Sequence, residues 1–149
     1  AYLNYSEVAG QTVQYMFYDL FKNYLELKAE VLSSSCFIND GKGNFTRISL
    51  PDETQFAPVF SFTPLAGNGM PGYLAAGNFY GTIPYEGRYD ALMPTAFNLT
   101  NDKKSFNTTF TLGNLGEIRD LKWIKHATGG QMLVVARNNK ELLFLKEGK

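Results

Sequence analysis

Apolar residues near the start of the chain recur at helical spacing. Val13, Met16, Phe17, Leu20 and Phe21 fall on one face. Ser6 is a residue type that caps helices, so a helical lead-in is expected over residues 1–23. From Tyr24 the period changes to two. Leu25, Leu27, Ala29 and Val31 alternate with Glu26, Lys28 and Glu30. That pattern predicts a strand with one wet face. A continued helix is the alternative, because these residue types also form helices well.

Beyond this point the pattern is one of short strands separated by turns. SSSCFIN and NFTRISL flank Asp40-Gly41-Lys42-Gly43, a strong hairpin sequence. FAPVFSF and YLAAGNFY flank the Gly/Pro-rich stretch TPLAGNGMPG, and an irregular loop, GTIPYEG, follows. ALMPTAFNLT and SFNTTFTL flank a second turn, Asn101-Asp102-Lys103-Lys104. Pro94 marks an edge or a bulge there. IRDLKWIKH, MLVVA and ELLFLK form a last group of three strands, with turns at Gly129-Gly130 and at Asn138-Asn139, a pair suited to a type I′ turn. Regularly spaced short strands indicate a meander, a sandwich or a propeller. INDGKGNF and LTNDKKSF echo each other, as repeated blades would.

Composition narrows the class. At 149 residues with 44% hydrophobic residues, the chain suits one folded domain rather than a disordered segment. No apolar run approaches the ~20 residues of a transmembrane helix. The start, AYLNYSEV, lacks a signal peptide's basic and apolar regions, and its lack of Met points to a mature or trimmed fragment. Lys plus Arg equals Asp plus Glu, 14 each, and no basic run stands out. Nucleic acid and anionic membranes are therefore set aside as partners. Aromatics reach 15%, and most are expected in the core. The single cysteine, Cys36, is expected to be a buried, inert thiol.

Chemistry-bearing motifs are scarce. The only histidine, His126, sits beside an expected turn, HATGG, where a solvated residue is the expectation. One His and one Cys cannot furnish an ordinary zinc site. Ser33-Ser34-Ser35 has no G-x-S-x-G elbow around it, and Gly67-Asn68-Gly69 lacks the Gly-Lys-Ser/Thr that cradles phosphate. Glu86 and Asp90 flank Arg88 in EGRYD. On an extended backbone the three share a face, so the arginine is expected to neutralise a carboxylate rather than leave a hydrolytic pair. Asn39, Asp40 and Asn44 could ligate calcium, but a hairpin turn needs the same residues.

The run FIND-GKG-NF, LP and Q in SLPDETQFAP, then AAGNFYG, GRYDA, GEIRDL and LVVARNNKELLFLK form an ordered set. Together they resemble the C-terminal region of bacterial FG-GAP/VCBS repeat proteins, a group similar to the cartilage acidic proteins and the integrin α-chain propellers. The resemblance implies a β-propeller of four-stranded blades, with adhesion, ligand binding or scaffolding as its usual role. It also implies an extracellular or outer-membrane surface location. Family blades often carry a calcium loop, D-x-D-G-D-G-x-x-D. The matching stretch here is residues 64–72, where Pro64, Ala66 and Gly72 replace acidic positions and Asn68 alone keeps an oxygen ligand. No calcium, and no other cofactor, is expected there.

The expected fold is all-β with one N-terminal α-helix. Residues 24–149 would form antiparallel meanders, two to three propeller-like blades that do not close within this chain, as a single domain or a fragment. Exposed edges would favour dimerisation or pairing with the rest of a longer chain, and the helix could cover one edge. The leading function is a non-catalytic binding or adhesion module for a protein or glycan. Its candidate surface residues are Asn78, Tyr80, Arg88, Tyr89 and Asp90, then Arg137, Asn138 and Asn139. The alternatives are a structural cap on a larger propeller and a fragment of a carbohydrate-active enzyme. An exposed aromatic patch at Phe79, Tyr80 and Tyr85 would favour binding.

Overall fold

A computed structural model describes residues 3–20, 22–65 and 72–146. The chain divides into two compact units, Ala1–Leu32 and Ser33–Lys149.

The first unit holds two one-turn helices, α1 (Tyr5–Val8) and α2 (Val13–Met16), then a 3-10 turn at Tyr18–Leu20. The expected continuous helix is broken twice: Gly10 takes φ +78°, a left-handed conformation that ends helices, and Phe17, at φ −123° and ψ 26°, ends α2. The cap is also not Ser6. Ser6 lies inside α1, and Thr12 caps α2 by accepting a hydrogen bond from the Tyr15 N–H at 3.1 Å. No residue of α1 or α2 is buried. Helices this short gain little from propensity alone. Phe21, expected on the apolar face, lies outside the described residues. The strand expected from Tyr24 to Val31 is absent. A strand is stabilised through its ladder and its covered face. Among the described residues this unit contains no second strand to pair with, and Leu25 and Leu27 are 81% and 82% exposed.

The second unit is built of antiparallel strands. β1 (Ser35–Asn39) and β2 (Phe45–Ser49) form a hairpin, and a 3-10 turn follows at Asp52–Gln55. β3 (Val59–Leu65), β4 (Gly72–Gly77), β5 (Thr95–Leu99) and β6 (Phe106–Thr111) form a four-stranded meander. β7 (Ile118–Lys125), β8 (Gln131–Arg137) and β9 (Leu143–Lys146) form a three-stranded one. The two short-turn hairpins and the final three-stranded group thus form where the turn sequences place them. Pro94 sits just before β5, an interior strand, and a bulge follows at Ala96/Phe97. Its missing N–H therefore falls outside the ladder. The ladder of β3 and β4 flanks residues 66–71, so most of the expected degenerate calcium loop lies outside the described residues.

Strand β4 shows why the four-stranded sheet holds together. Leu74 and Ala76 face one side, where with Ala96 they pack against Ile118, Leu121, Leu133 and Val135 of the three-stranded sheet. Ala75 faces the other side, where it joins Phe97 and Leu50, with Cys36, Val59 and Phe106 packed around them. Cys36 is thus half-buried in an apolar setting. Polar links cross the first interface. Ser61 Oγ donates to Asp120 Oδ1 and accepts from the Leu121 N–H, both at 3.1 Å, and Trp123 Nε1 donates to the Pro64 carbonyl at 2.9 Å.

The aromatics do not fill the core as expected. Among the described residues, Phe97 is the one aromatic in the buried apolar set. The sheets meet mainly through alanine and branched aliphatic side chains, with the Trp123 ring packed against them while partly exposed. Phe60, Phe62, Tyr73 and Phe144 stand exposed on strand faces. Among the described residues no helix is long and apolar enough to cross a membrane.

Candidate functional site

The loop after β4 begins with a close approach of backbones. A Cβ on Gly77 would lie 1.9 Å from the Pro58 carbonyl oxygen, so this position admits only glycine without backbone movement. Asn78 follows at φ +83°. Its backbone N–H donates to the same Pro58 carbonyl at 3.0 Å. Its side chain donates to the Leu92 and Gly116 carbonyls at 2.9 and 3.1 Å and accepts from the Leu92 N–H at 3.0 Å. Asn78 is 1% exposed. The expected surface residue is instead an internal clamp that fixes both ends of the loop and ties it to the approach of β7. Asparagine suits the place because its amide both donates and accepts, and because it tolerates a left-handed backbone.

Phe79 and Tyr89 pair across the loop through two backbone hydrogen bonds of 2.8 and 3.0 Å. Between them Thr82 Oγ1 donates to the Gly87 carbonyl, and Gly87 takes φ +76°. That left-handed turn removes the extended geometry that would have aligned Glu86, Arg88 and Asp90. The expected ion pair is not made. Among the described residues, ion pairs join Lys28 to Glu26 and Arg119 to Glu117. The Arg88 guanidinium lies instead 5.1 Å from the centre of the Tyr80 ring.

Glu117 is the second clamp. It is 4% exposed, and each of its oxygens is engaged. Oε1 accepts from the Tyr80 N–H at 3.2 Å and from Arg119, and Oε2 accepts from Asn138 Nδ2 at 2.8 Å. The Glu117 carbonyl also accepts from the Asn138 N–H at 2.8 Å. Burial pushes its carboxyl up. The hydrogen bonds from Asn138 and Tyr80 and the charge of Arg119 together outweigh burial and hold it below its ordinary value. Arg119 is itself held over the Phe60 ring at 4.1 Å.

One carboxylate thus joins the loop after β4 to the turn after β8. Between these walls lies an open groove of about 620 Å³. Tyr80, Gly81 and Arg88 form one wall, residues 137–140 the other, and residues 114–117 the base. Five of the expected site residues meet here: Tyr80, Arg88, Arg137, Asn138 and Asn139. Tyr89 and Asp90 are exposed but do not line it, and neither does Glu86. Arg137 is anchored to the Glu141 carbonyl through Nε and Nη2, at 3.2 and 2.9 Å, and to the Leu115 carbonyl through Nη1 at 3.4 Å. The expected type I′ turn is replaced by a longer one. Asn139 alone of the pair has positive φ, at +51°, and β9 starts only at Leu143.

Glu117 and Lys140 escaped the sequence reading as site residues. Lys140 directly follows the Asn138-Asn139 pair, so its place in the groove was within reach. For Glu117 the nearby Arg119 was the one local sign, and its clamping role depends on Tyr80 and Asn138, which are distant in the sequence. Of the expected aromatic patch, only Tyr85 is exposed, at 83%, whereas Phe79 and Tyr80 are half-buried.

Elsewhere, Asp40 closes the first hairpin turn. Its carboxylate accepts from the Lys42 N–H, the Asn44 N–H and Asn44 Nδ2 at 2.7, 3.1 and 2.8 Å, and Asn39 Oδ1 accepts from the Gly41 N–H at 2.8 Å. The Asn44 side chain foremost, then the backbone donors, hold the Asp40 carboxyl below its ordinary value. His126 Nδ1 lies 2.7 Å from Thr128 Oγ1 in its own turn. Among the described residues no group of at least three His, Cys, Asp or Glu side chains is placed to hold a metal ion. Comparison with protein-family models, curated proteins and solved structures finds no match to this chain.

Proposed function

We propose that the chain is a non-catalytic binding or adhesion module of the cell exterior, built of propeller-like blades and related to the C-terminal part of FG-GAP/VCBS proteins. One observation carries the reading: two walls distant in sequence are fastened by Glu117 into an open groove whose lining brings guanidinium, amide and amine groups together with Tyr80 and Leu115. Preformed polar surfaces of this kind suit ligand capture, because little ordering is left to do on binding. The groove's own carboxylate is fully engaged in holding its walls, which argues against acid–base catalysis there. A four-stranded meander followed by a three-stranded one is compatible with successive blades.

The test is binding of the labelled chain to a printed array of glycans and extracellular matrix proteins, beside the Arg88→Gln and Lys140→Gln variants. Retained spots that dim in both variants support the module. An array on which the chain and its variants bind nothing contradicts it.

A second reading, a cap on a larger propeller, draws on the exposed Phe60, Phe62 and Phe144, which further strands could cover. It predicts that a longer version of the chain shows much less dye binding to exposed apolar surface than residues 1–149 alone.

A further inference from the structure

The charge balance of the groove is one-sided. Arg88, Arg137 and Lys140 line it, and among the described residues no carboxylate lies within ion-pair distance of any of them. The single acidic lining residue, Glu117, is neutralised by Arg119. Among the described residues these three lining cations therefore have no paired carboxylate, in a chain whose formal charge is zero.

Two of the three are pre-oriented. Arg88 is laid over Tyr80, and Arg137 is fixed by three hydrogen bonds to carbonyls, which leaves two of its five N–H groups for a ligand. A guanidinium held this way presents its fork at little entropic cost and matches a planar carboxylate or a sulfate. Beside these cations lie the amides of Asn138 and Asn139: Asn138 gives one N–H to Glu117, while among the described residues its Oδ1 and the Asn139 side chain have no hydrogen-bond partner. Amides of this kind hydrogen-bond hydroxyl groups. A protein epitope would need apolar anchors in desolvated pockets, and this groove offers two half-buried side chains, Tyr80 and Leu115, the second already packed against the core.

We propose that the groove takes an anionic saccharide, whose acidic groups pair with Arg88, Arg137 and Lys140 and whose hydroxyls meet Asn138 and Asn139. This deepens the binding-module reading and rests on it. Isothermal titration of the full chain would use an oligogalacturonide as the carboxylate arm, a heparin-derived oligosaccharide as the sulfate arm and a neutral galactose oligomer as control. Lys42→Gln, on the distant hairpin turn, serves as the charge control. The expected result is binding of at least one anionic arm, at least about tenfold stronger than the neutral oligomer. Arg88→Gln and Lys140→Gln should each weaken it about tenfold, and Lys42→Gln should leave it unchanged. Lys140 is exposed on a turn, so its variant keeps the test valid even where Arg88→Gln unfolds the loop. Equal binding of neutral and anionic oligomers overturns the proposal, as does equal weakening by Lys42→Gln, or no binding of either anionic arm. Groove-dependent binding of a neutral glycan or a protein would preserve the module while removing its anionic specificity.

Discussion

Residues 1–32 and 33–149 both carry strong hydrophobic patterns, yet only the second converts its pattern into burial. In β4, alternation places Leu74 and Ala76 against one sheet and Ala75 against the other cluster, and all three are buried. Leu25 and Leu27 alternate just as regularly and remain exposed. Alternation specifies which side chains share a face. Whether that face is covered depends on a partner from elsewhere in the sequence. The loop after β4 teaches the same lesson for polar groups: Asn78 and Glu117 act as clamps because they reach partners 14 to 38 residues away.

This contrast can be broken by substitution. The largest effect is expected from Gly77→Ala, since its Cβ would overlap the Pro58 carbonyl and force the backbone apart. It should cost about 4 kcal/mol in urea unfolding, among the larger values for a single substitution. An effect under about 1 kcal/mol would show that the β3–β4 junction gives way easily. Asn78→Ala comes next. It leaves the Leu92 N–H and two carbonyls without their partner and keeps the left-handed backbone, at about 3 kcal/mol.

Glu117→Gln should cost about 2 kcal/mol near neutral pH, because the ion pair with Arg119 is lost while part of the hydrogen bonding survives. Its pH dependence sharpens the point. A carboxyl held below its ordinary value of 4.5 stabilises the fold fully above that value, and the contribution fades as pH falls toward the lower folded value. The gap between parent and variant should therefore narrow below pH 4.5, as followed by unfolding midpoints across acid pH. A gap constant with pH would mean that Glu117 acts by shape rather than charge. The smallest effect belongs to the first unit. Leu27→Ser should change the unfolding of residues 33–149 by no more than about 0.5 kcal/mol, as for other exposed positions.

Much of the β architecture was legible. DGKG and NDKK sit where two hairpins turn, and the last three strands match their segments, because turn chemistry and strand period are local properties. Local properties also misled. Helical spacing from Val13 to Leu20 ran through Phe17, whose backbone leaves the helical region, and the aromatic count suggested a ring-filled core where alanines meet instead. For the site, the extended reading of EGRYD missed the left-handed Gly87, so an Arg88 ion pair was expected in place of its contact with Tyr80. Five groove residues were nonetheless named from sequence, because loops beside strand ends are where exposed polar side chains gather.

The groove as a preformed binding site is tested most directly by a two-dimensional NMR titration of the chain with the oligogalacturonide and the heparin-derived oligosaccharide. The prediction is that at least one of them moves the amide resonances of Tyr80, Arg88 and residues 138–140 on a single binding curve, with those of residues 35–49 unmoved. Resonances that do not move with either, or that move mainly outside the groove, would contradict it.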